Sequence, residues 1–281
     1  MKNSTKLKRY ITLAVSILAL HTIPTYAQSY RQLIIEGTRA LEAGETTTAI
    51  ENYSKAIAFD PGNKANEYIY ANLAAAYIQD KNLEEAEKTY TTALDKFPKS
   101  PKLLQLRGNL HLEKGNLEKA KEDYDKVLQH EPYNQEALYN RAYIHARNKE
   151  HEQAYRDYYA ILTATPDNHK ARFALALLYS NDNRLAEALL QIDHLIETVP
   201  GNTDYYVAAC NIAEKQKKTE LALVYTDEGI RKCSDNTTLF IKKAELLLAM
   251  KRKKEARAIL DRLTLQGKFT PQMQVLYKKC K

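Results

Sequence analysis

"GNLEKAKEDYDKVLQHEPYN", Gly115 to Asn134, places Ala120, Tyr124 and Val127 at offsets 0, +4 and +7 and closes on Pro132. Those offsets share one face of an α-helix, so the stretch predicts an amphipathic helix. Proline ends it, because it lacks the helical N–H and pushes its predecessor out of the α region. The same sentence recurs in "GETTTAIENYSKAIAFDPGN" from Gly44 and in "KNLEEAEKTYTTALDKFPKS" from Lys81. A fixed period of this kind decides the fold before any other feature.

Aligned on its alanine, the pattern steps through Ala49, Ala86, Ala120, Ala154, Ala188, Ala222 and Ala256, at one interval of 37 residues and five of 34. Twelve residues before each stands a small residue: Gly37, Ala74, Gly108, Ala142, Ala176, Cys210 and Ala244. Small side chains at both places let two helices cross closely, where larger ones would overpack the contact. Four residues after the alanine come Tyr53, Tyr90, Tyr124, Tyr158, Ile192, Thr226 and Leu260; seven after come Ala56, Ala93, Val127, Ile161, Leu195, Gly229 and Leu263. Twelve after come Pro61, Pro98, Pro132, Pro166 and Pro200, then Ser234 and Lys268, so the last two copies lose the stop. Between the small residue and the alanine lie tight-turn residues such as Gly44, Gly115 and the "NDN" at Asn181. Each copy therefore reads as helix, short turn, helix, proline stop, and the chain as all-α.

This pattern resembles the tetratricopeptide repeat family, most closely in Gly37, Ala49, Tyr53 and Pro61 and in Gly108, Ala120, Tyr124 and Pro132. The family's tryptophan is replaced, by Leu33, Tyr70, Leu104 and Leu138 among others, and its first-helix tyrosine by His111 and His145 in two copies. The resemblance implies a right-handed superhelical solenoid of about seven helix-turn-helix units, at 30–66, 67–100, 101–134, 135–168, 169–202, 203–236 and 237–270. The tail 271–281 reads as a short cap, which open-ended solenoids require.

The chain's 281 residues are 44% hydrophobic and 27% charged, enough apolar material for a large core and too much for a disordered chain. Its net charge of +7 owes four cations to residues 1–27, which hold no acid. The remainder carries 38 basic and 35 acidic residues, a balance that argues against a nucleic-acid partner. Residues 1–27 have a basic start, an apolar run from Ile11 to Leu20, Pro24 and a small residue at Ala27, the layout of a cleaved secretory signal peptide. The alternative is an uncleaved anchor, for which the run is short. Only Cys210, Cys233 and Cys280 are present, so no disulfide framework is expected. Their scarcity leans toward a bacterial periplasm or cell envelope.

With the register in place, chemically interesting residues acquire structural roles. His111 and His145 share a repeat position between the two helices, where a packed imidazole is expected rather than a metal ligand. "HEQAY" at His151 lacks the second histidine of a zinc-protease helix, and no phosphate-cradling Gly-Lys-Ser/Thr loop exists. Cys210 occupies the small crossing position, as a buried thiol would. No nucleophile, base and orienting group assemble, so no enzyme, metal site or cofactor is expected.

In the family the first helix of each unit lines a concave groove, and residues fifteen and eleven before each alanine point inward. Here these include Gln105 and Asn109, Tyr139 and Tyr143, Phe173 and Leu177, and Val207 and Asn211. Aromatic side chains anchor interfaces, so Tyr139, Tyr143 and Phe173 are the expected contacts, unless they pack only on the neighbouring unit. Family members that clamp a peptide's C-terminal carboxylate use cations and asparagines from three successive units. Asn109, Asn140 and Lys170 match part of that set, but Gln105 and Ala174 stand where two cations belong. The expected function is a non-catalytic scaffold or adaptor that binds a protein or peptide in the groove, touching membrane only through its signal. The alternative is an architectural subunit that binds through its convex face or its open C-terminal end.

Overall fold

The computed structural model describes residues 25–234 and 236–281. Of the expected signal segment, residues 1–24 lie outside the described residues. Every regular element among the described residues is an α-helix. The helices come in pairs: α1 (Thr25–Ala43) with α2 (Thr46–Phe59), α3 (Asn66–Gln79) with α4 (Leu83–Lys96), and α5 (Pro101–Glu113) with α6 (Leu117–His130). In chain order follow α7 (Gln135–Arg147) and α8 (His151–Ala164), after which α9 (His169–Asn181) packs with α10 (Leu185–Thr198) and α11 (Thr203–Lys215) with α12 (Thr219–Lys232). The last pair is α13 (Thr237–Ala249) and α14 (Lys253–Leu265), followed by the single α15 (Pro271–Lys279). The chain divides into two compact units, one up to Ile144 and one from His145.

The repeated alanines Ala49, Ala86, Ala120, Ala154, Ala188, Ala222 and Ala256 are all fully buried. The small partner of two of them makes room for the tyrosine: a Cβ added at Gly37 would lie 2.9 Å from the Tyr53 ring, and one at Gly108 2.9 Å from the Tyr124 ring. In these two copies glycine leaves the tyrosine ring its space, while Tyr90 and Tyr158 are buried with alanine, Ala74 and Ala142, at the same position. In the sixth pair the trade is reversed, with the larger Cys210 at the small position and Thr226, also fully buried, in place of tyrosine.

The turn within each pair follows one rule. The residue five before the alanine is left-handed in every copy: Gly44, Lys81, Gly115, Lys149, Asn183, Lys217 and Lys251 all have φ between 59° and 80°. Around it the first helix ends in the same two hydrogen bonds, as in Gly115 N–H to Leu112 C=O at 3.1 Å and Asn116 N–H to His111 C=O at 2.8 Å. This is a Schellman closure, which satisfies carbonyls that the helix end would otherwise orphan. Four of the seven positions hold lysine, whose Cβ makes this conformation costly, by about 1–2 kcal/mol. Lys81→Gly and Lys149→Gly are accordingly expected to stabilise the fold by about 0.5–1 kcal/mol each, less than the strain relieved because glycine also frees the unfolded chain. Urea midpoints that stay unchanged or fall would show that the turns are held by something other than local strain.

The proline stop behaves as expected through the fifth pair: the residue before each proline leaves the helical region, as at Glu131 with φ −129° and ψ 77°. The sixth pair needs no proline, since α12 still ends at Lys232 with Ser234 following. The seventh ends instead on a left-handed Gly267, φ 73°, with Lys268 N–H bonded to Leu263 C=O at 2.9 Å.

A start signal accompanies the stop. Fourteen residues after each alanine stands Asn63, Ser100, Asn134, Asn168, Asn202, Asn236 or Thr270. Ser100 Oγ accepts from the Leu103 N–H at 3.1 Å, Asn134 Oδ1 from Ala137 at 3.0 Å and Asn168 Oδ1 from Ala171 at 2.9 Å. These are N-caps of the next first helix, so one short phrase ends a helix and opens another.

Candidate functional site

In the first compact unit, the first-helix residues are tied into a polar wall. Tyr124, whose ring fills the core, donates its hydroxyl to Asn109 Oδ1 at 2.7 Å. Asn140, on the next first helix, donates to the same Oδ1 at 3.0 Å and to the Tyr124 hydroxyl at 3.2 Å. Asn109 Nδ2 donates in turn to Glu136 at 3.0 Å. The first repeat builds the same latch: Tyr53 donates to Thr38 Oγ1 at 3.1 Å, and Asn72 bonds the tyrosine from the next helix. Each tyrosine thereby joins its own pair to the next one, each bond contributing about 1 kcal/mol. Gln105 accepts from Asn134 at 3.1 Å.

Asn109 thus has its carbonyl and its amide engaged within the protein, with a carboxylate beside it. A ligand carboxylate approaching Asn109 would meet the like charge of Glu136. Of the aromatics expected here, Tyr139 is half-buried, and burial first, then the neighbouring Tyr143, pushes its hydroxyl pKa up. Tyr143 is 40% exposed, and Tyr68, on α3, is 47% exposed. Tyr68 was not among the expected contacts because it lies eighteen residues before its alanine, outside the two positions read for the groove.

The second compact unit presents Phe173, half-buried with its ring 5.2 Å from that of Tyr205. Leu177 one turn further is 42% exposed, and Lys170 and Asn211 are exposed. Elsewhere in this unit Tyr155 and Tyr179 pack at 4.8 Å between centroids, with the Arg184 guanidinium 4.5 Å from the Tyr179 ring. Tyr155 donates to Asp182 at 2.6 Å, and His151 pairs with the other oxygen of that carboxylate. These contacts bind α8 to the turn between α9 and α10 and are structural.

No group of His, Cys, Asp or Glu among the described residues could hold a metal ion. The Cys210 thiol is buried, and burial pushes its pKa up to about 12, so it stays protonated. His145 is paired with Glu150 at 2.5 Å, and His111 is buried.

Residues 40–110 and 106–169 match the tetratricopeptide repeat family. The fold is similar to the crystal structure of a tetratricopeptide repeat protein from Parabacteroides merdae, with a TM-score of 0.65, 25% identity, and coverage of 90% of this chain and 99% of that one. Residues 40–169 belong to the tetratricopeptide repeat family. A second solved relative of this fold, YrrB, described as a TPR protein with an unusual peptide-binding site, has a TM-score of 0.57 and 23% identity over 72% of this chain and all of its own. Over 108 residues the repeats are 25% identical to the photosystem I assembly protein Ycf3 of Prochlorococcus marinus, covering 38% of this chain. The match spans 62% of that protein's length. The repeats and their tetratricopeptide repeat neighbours support a protein-interaction scaffold.

Proposed function

We propose that this scaffold is non-catalytic, is exported to the bacterial cell envelope, and binds a peptide or helix along the exposed faces of its first helices. The observation that carries the reading is the pair of half-exposed tyrosines on first helices of the first compact unit, Tyr68 and Tyr143, beside a hydrogen-bonded polar wall; in the second unit Leu177 is separately exposed on a first helix. Rigid aromatic anchors on a preorganised wall lose little entropy on binding. The peptide-binding relative supports such a ligand class, and the assembly-protein relative a role in building a complex. Export rests on the N-terminal pattern of Lys2 to Arg9 and Ile11 to Leu20.

Envelope extract passed over the chain from Gln28 should yield a partner that a Tyr139→Ala, Tyr143→Ala variant binds about 30-fold more weakly, as loss of about 2 kcal/mol of anchor energy implies. A separate Phe173→Ala variant tests the second compact unit by itself. Circular dichroism must show unchanged helix content in both. If both variants hold the same partner as tightly as the parent, the first-helix faces are not the binding surface.

A further inference from the structure

Charge is distributed unevenly along the repeats. Residues 28–250 carry 28 basic and 33 acidic side chains, whereas residues 251–281 carry ten basic and two acidic ones. The whole positive excess beyond the signal segment therefore lies in α14, α15 and the turns beside them. Both acids are already engaged, Glu255 by Arg252 at 2.7 Å and Asp261 by Arg257 at 3.8 Å. Lys251, Lys253, Lys254, Lys268, Lys278 and Lys279 are exposed and have no ion-pair partner among the described residues. The fold gains nothing from several of them. Lys251 to Lys254 crowd the start of α14, where the helix dipole is positive and cations are unfavourable.

The same segment exposes apolar side chains singly: Leu265 is 89% exposed, Phe269 54% and Val275 55%. On α15, Met273 and Leu276 are buried against the last pair, and Val275 and Lys278 stand outward. Separate apolar side chains among lysines are the composition of a surface that lies on a bilayer, where hydrocarbon enters the interface and ammonium groups meet anionic headgroups. Lysine also outnumbers arginine here by seven to three. Its compact charge suits a diffuse field of anions better than the directional, bidentate pairing used for nucleic acid or a specific carboxylate.

We propose that the C-terminal end, residues 251–281, is a docking surface for an anionic lipid bilayer, placing the scaffold on a membrane independently of its N-terminal segment. The probe is co-sedimentation with phosphatidylglycerol-containing vesicles and with pure phosphatidylcholine vesicles. It uses the full chain and the chain from Gln28, which keeps every buried side chain named above. Both chains should bind the anionic vesicles and release them at high salt. Lys251→Gln, Lys253→Gln, Lys254→Gln together should weaken binding about a hundredfold, at the usual contribution of each lysine near an anionic surface. Leu265→Ser with Phe269→Ser should weaken it further while leaving the salt dependence unchanged; these side chains are exposed, so helix content is expected to hold. Binding by the full chain alone, equal binding to neutral vesicles, or a triple variant that binds like the parent would each overturn the proposal. So would salt-sensitive self-association without vesicle binding, which would assign the lysines to a second copy, or duplex DNA binding in its place.

Discussion

Gly229→Ala is expected to destabilise the protein by about 1–3 kcal/mol, and Gly229→Leu by more, although repeat logic favours both changes. The other copies hold Ala, Val, Ile or Leu at this position, and alanine in a helix interior gains about 1 kcal/mol over glycine. The surroundings decide otherwise. A Cβ at Gly229 would lie 2.7 Å from Tyr206 Cγ, 2.8 Å from Tyr206 Cβ and 2.7 Å from Leu239 Cδ1. Tyr206 is fully buried, and its Cβ cannot swing aside as the end of a flexible chain could. Leu33, Leu104 and Leu138 fill the position of Tyr206 in other repeats, but leucine keeps the Cβ and Cγ that a Gly229 Cβ would meet and leaves Leu239 in place, so Tyr206→Leu should not rescue Gly229→Ala. The Tyr206 hydroxyl has no hydrogen-bond partner among the described residues, and the exchange leaves none unsatisfied. Chemical denaturation of the single and double variants checks this, with Gly62→Ala, which meets nothing within 4 Å, as control. A Gly229→Ala protein at least as stable as the parent would refute the packing account.

Asp123→Ala should cost about 3–5 kcal/mol, the usual penalty for leaving one member of a buried ion pair alone. Arg107 holds both oxygens of Asp123, at 2.8 and 2.7 Å, and the two side chains are only 18% and 2% exposed. The second repeat uses Leu73 and Thr89 at these positions. Arg107→Leu with Asp123→Thr should therefore recover most of the loss, as replacing a whole buried pair often does.

His111 sits beside this pair and adds a pH dependence. Its ring nitrogens lie 4.0 Å from Glu87 and 3.9 Å from Asp123, too far for hydrogen bonds, and Arg107, Lys114 and Lys119 are close by. Burial outweighs the carboxylates and holds its pKa below the ordinary 6.5. The unfolded chain thus takes up the proton first, so this contribution is full above pH 6.5 and is lost as pH falls through the folded value. Glu87, bonded to Lys114, is held below its ordinary 4.5 and adds a loss only at lower pH. Stability measured against pH should decline from about 6.5 downward, and His111→Gln should remove that upper part of the decline. An unchanged profile in His111→Gln would place the titration elsewhere.

The period, the paired helices, the buried alanine and tyrosine stripe and the intervening turns follow from offsets within a single helix or turn, and are legible in the sequence. The N-caps at Asn134, Asn168 and Asn202 are as local as the stop, each a capping side chain two residues after a proline. The groove positions could be numbered from the alanine. Their availability could not, because Asn109 is engaged by Tyr124, fifteen residues away, and by Asn140, thirty-one away. The same holds for the tyrosine that makes Gly229 obligatory, for the arginine that makes Asp123 a buried anion, and for the lysines held left-handed in four turns. Helical spacing is a local property carried by each segment separately. Which side chain may fill a shared volume, or must neutralise a shared charge, depends on distances across helices, and those exist only once the repeats have stacked.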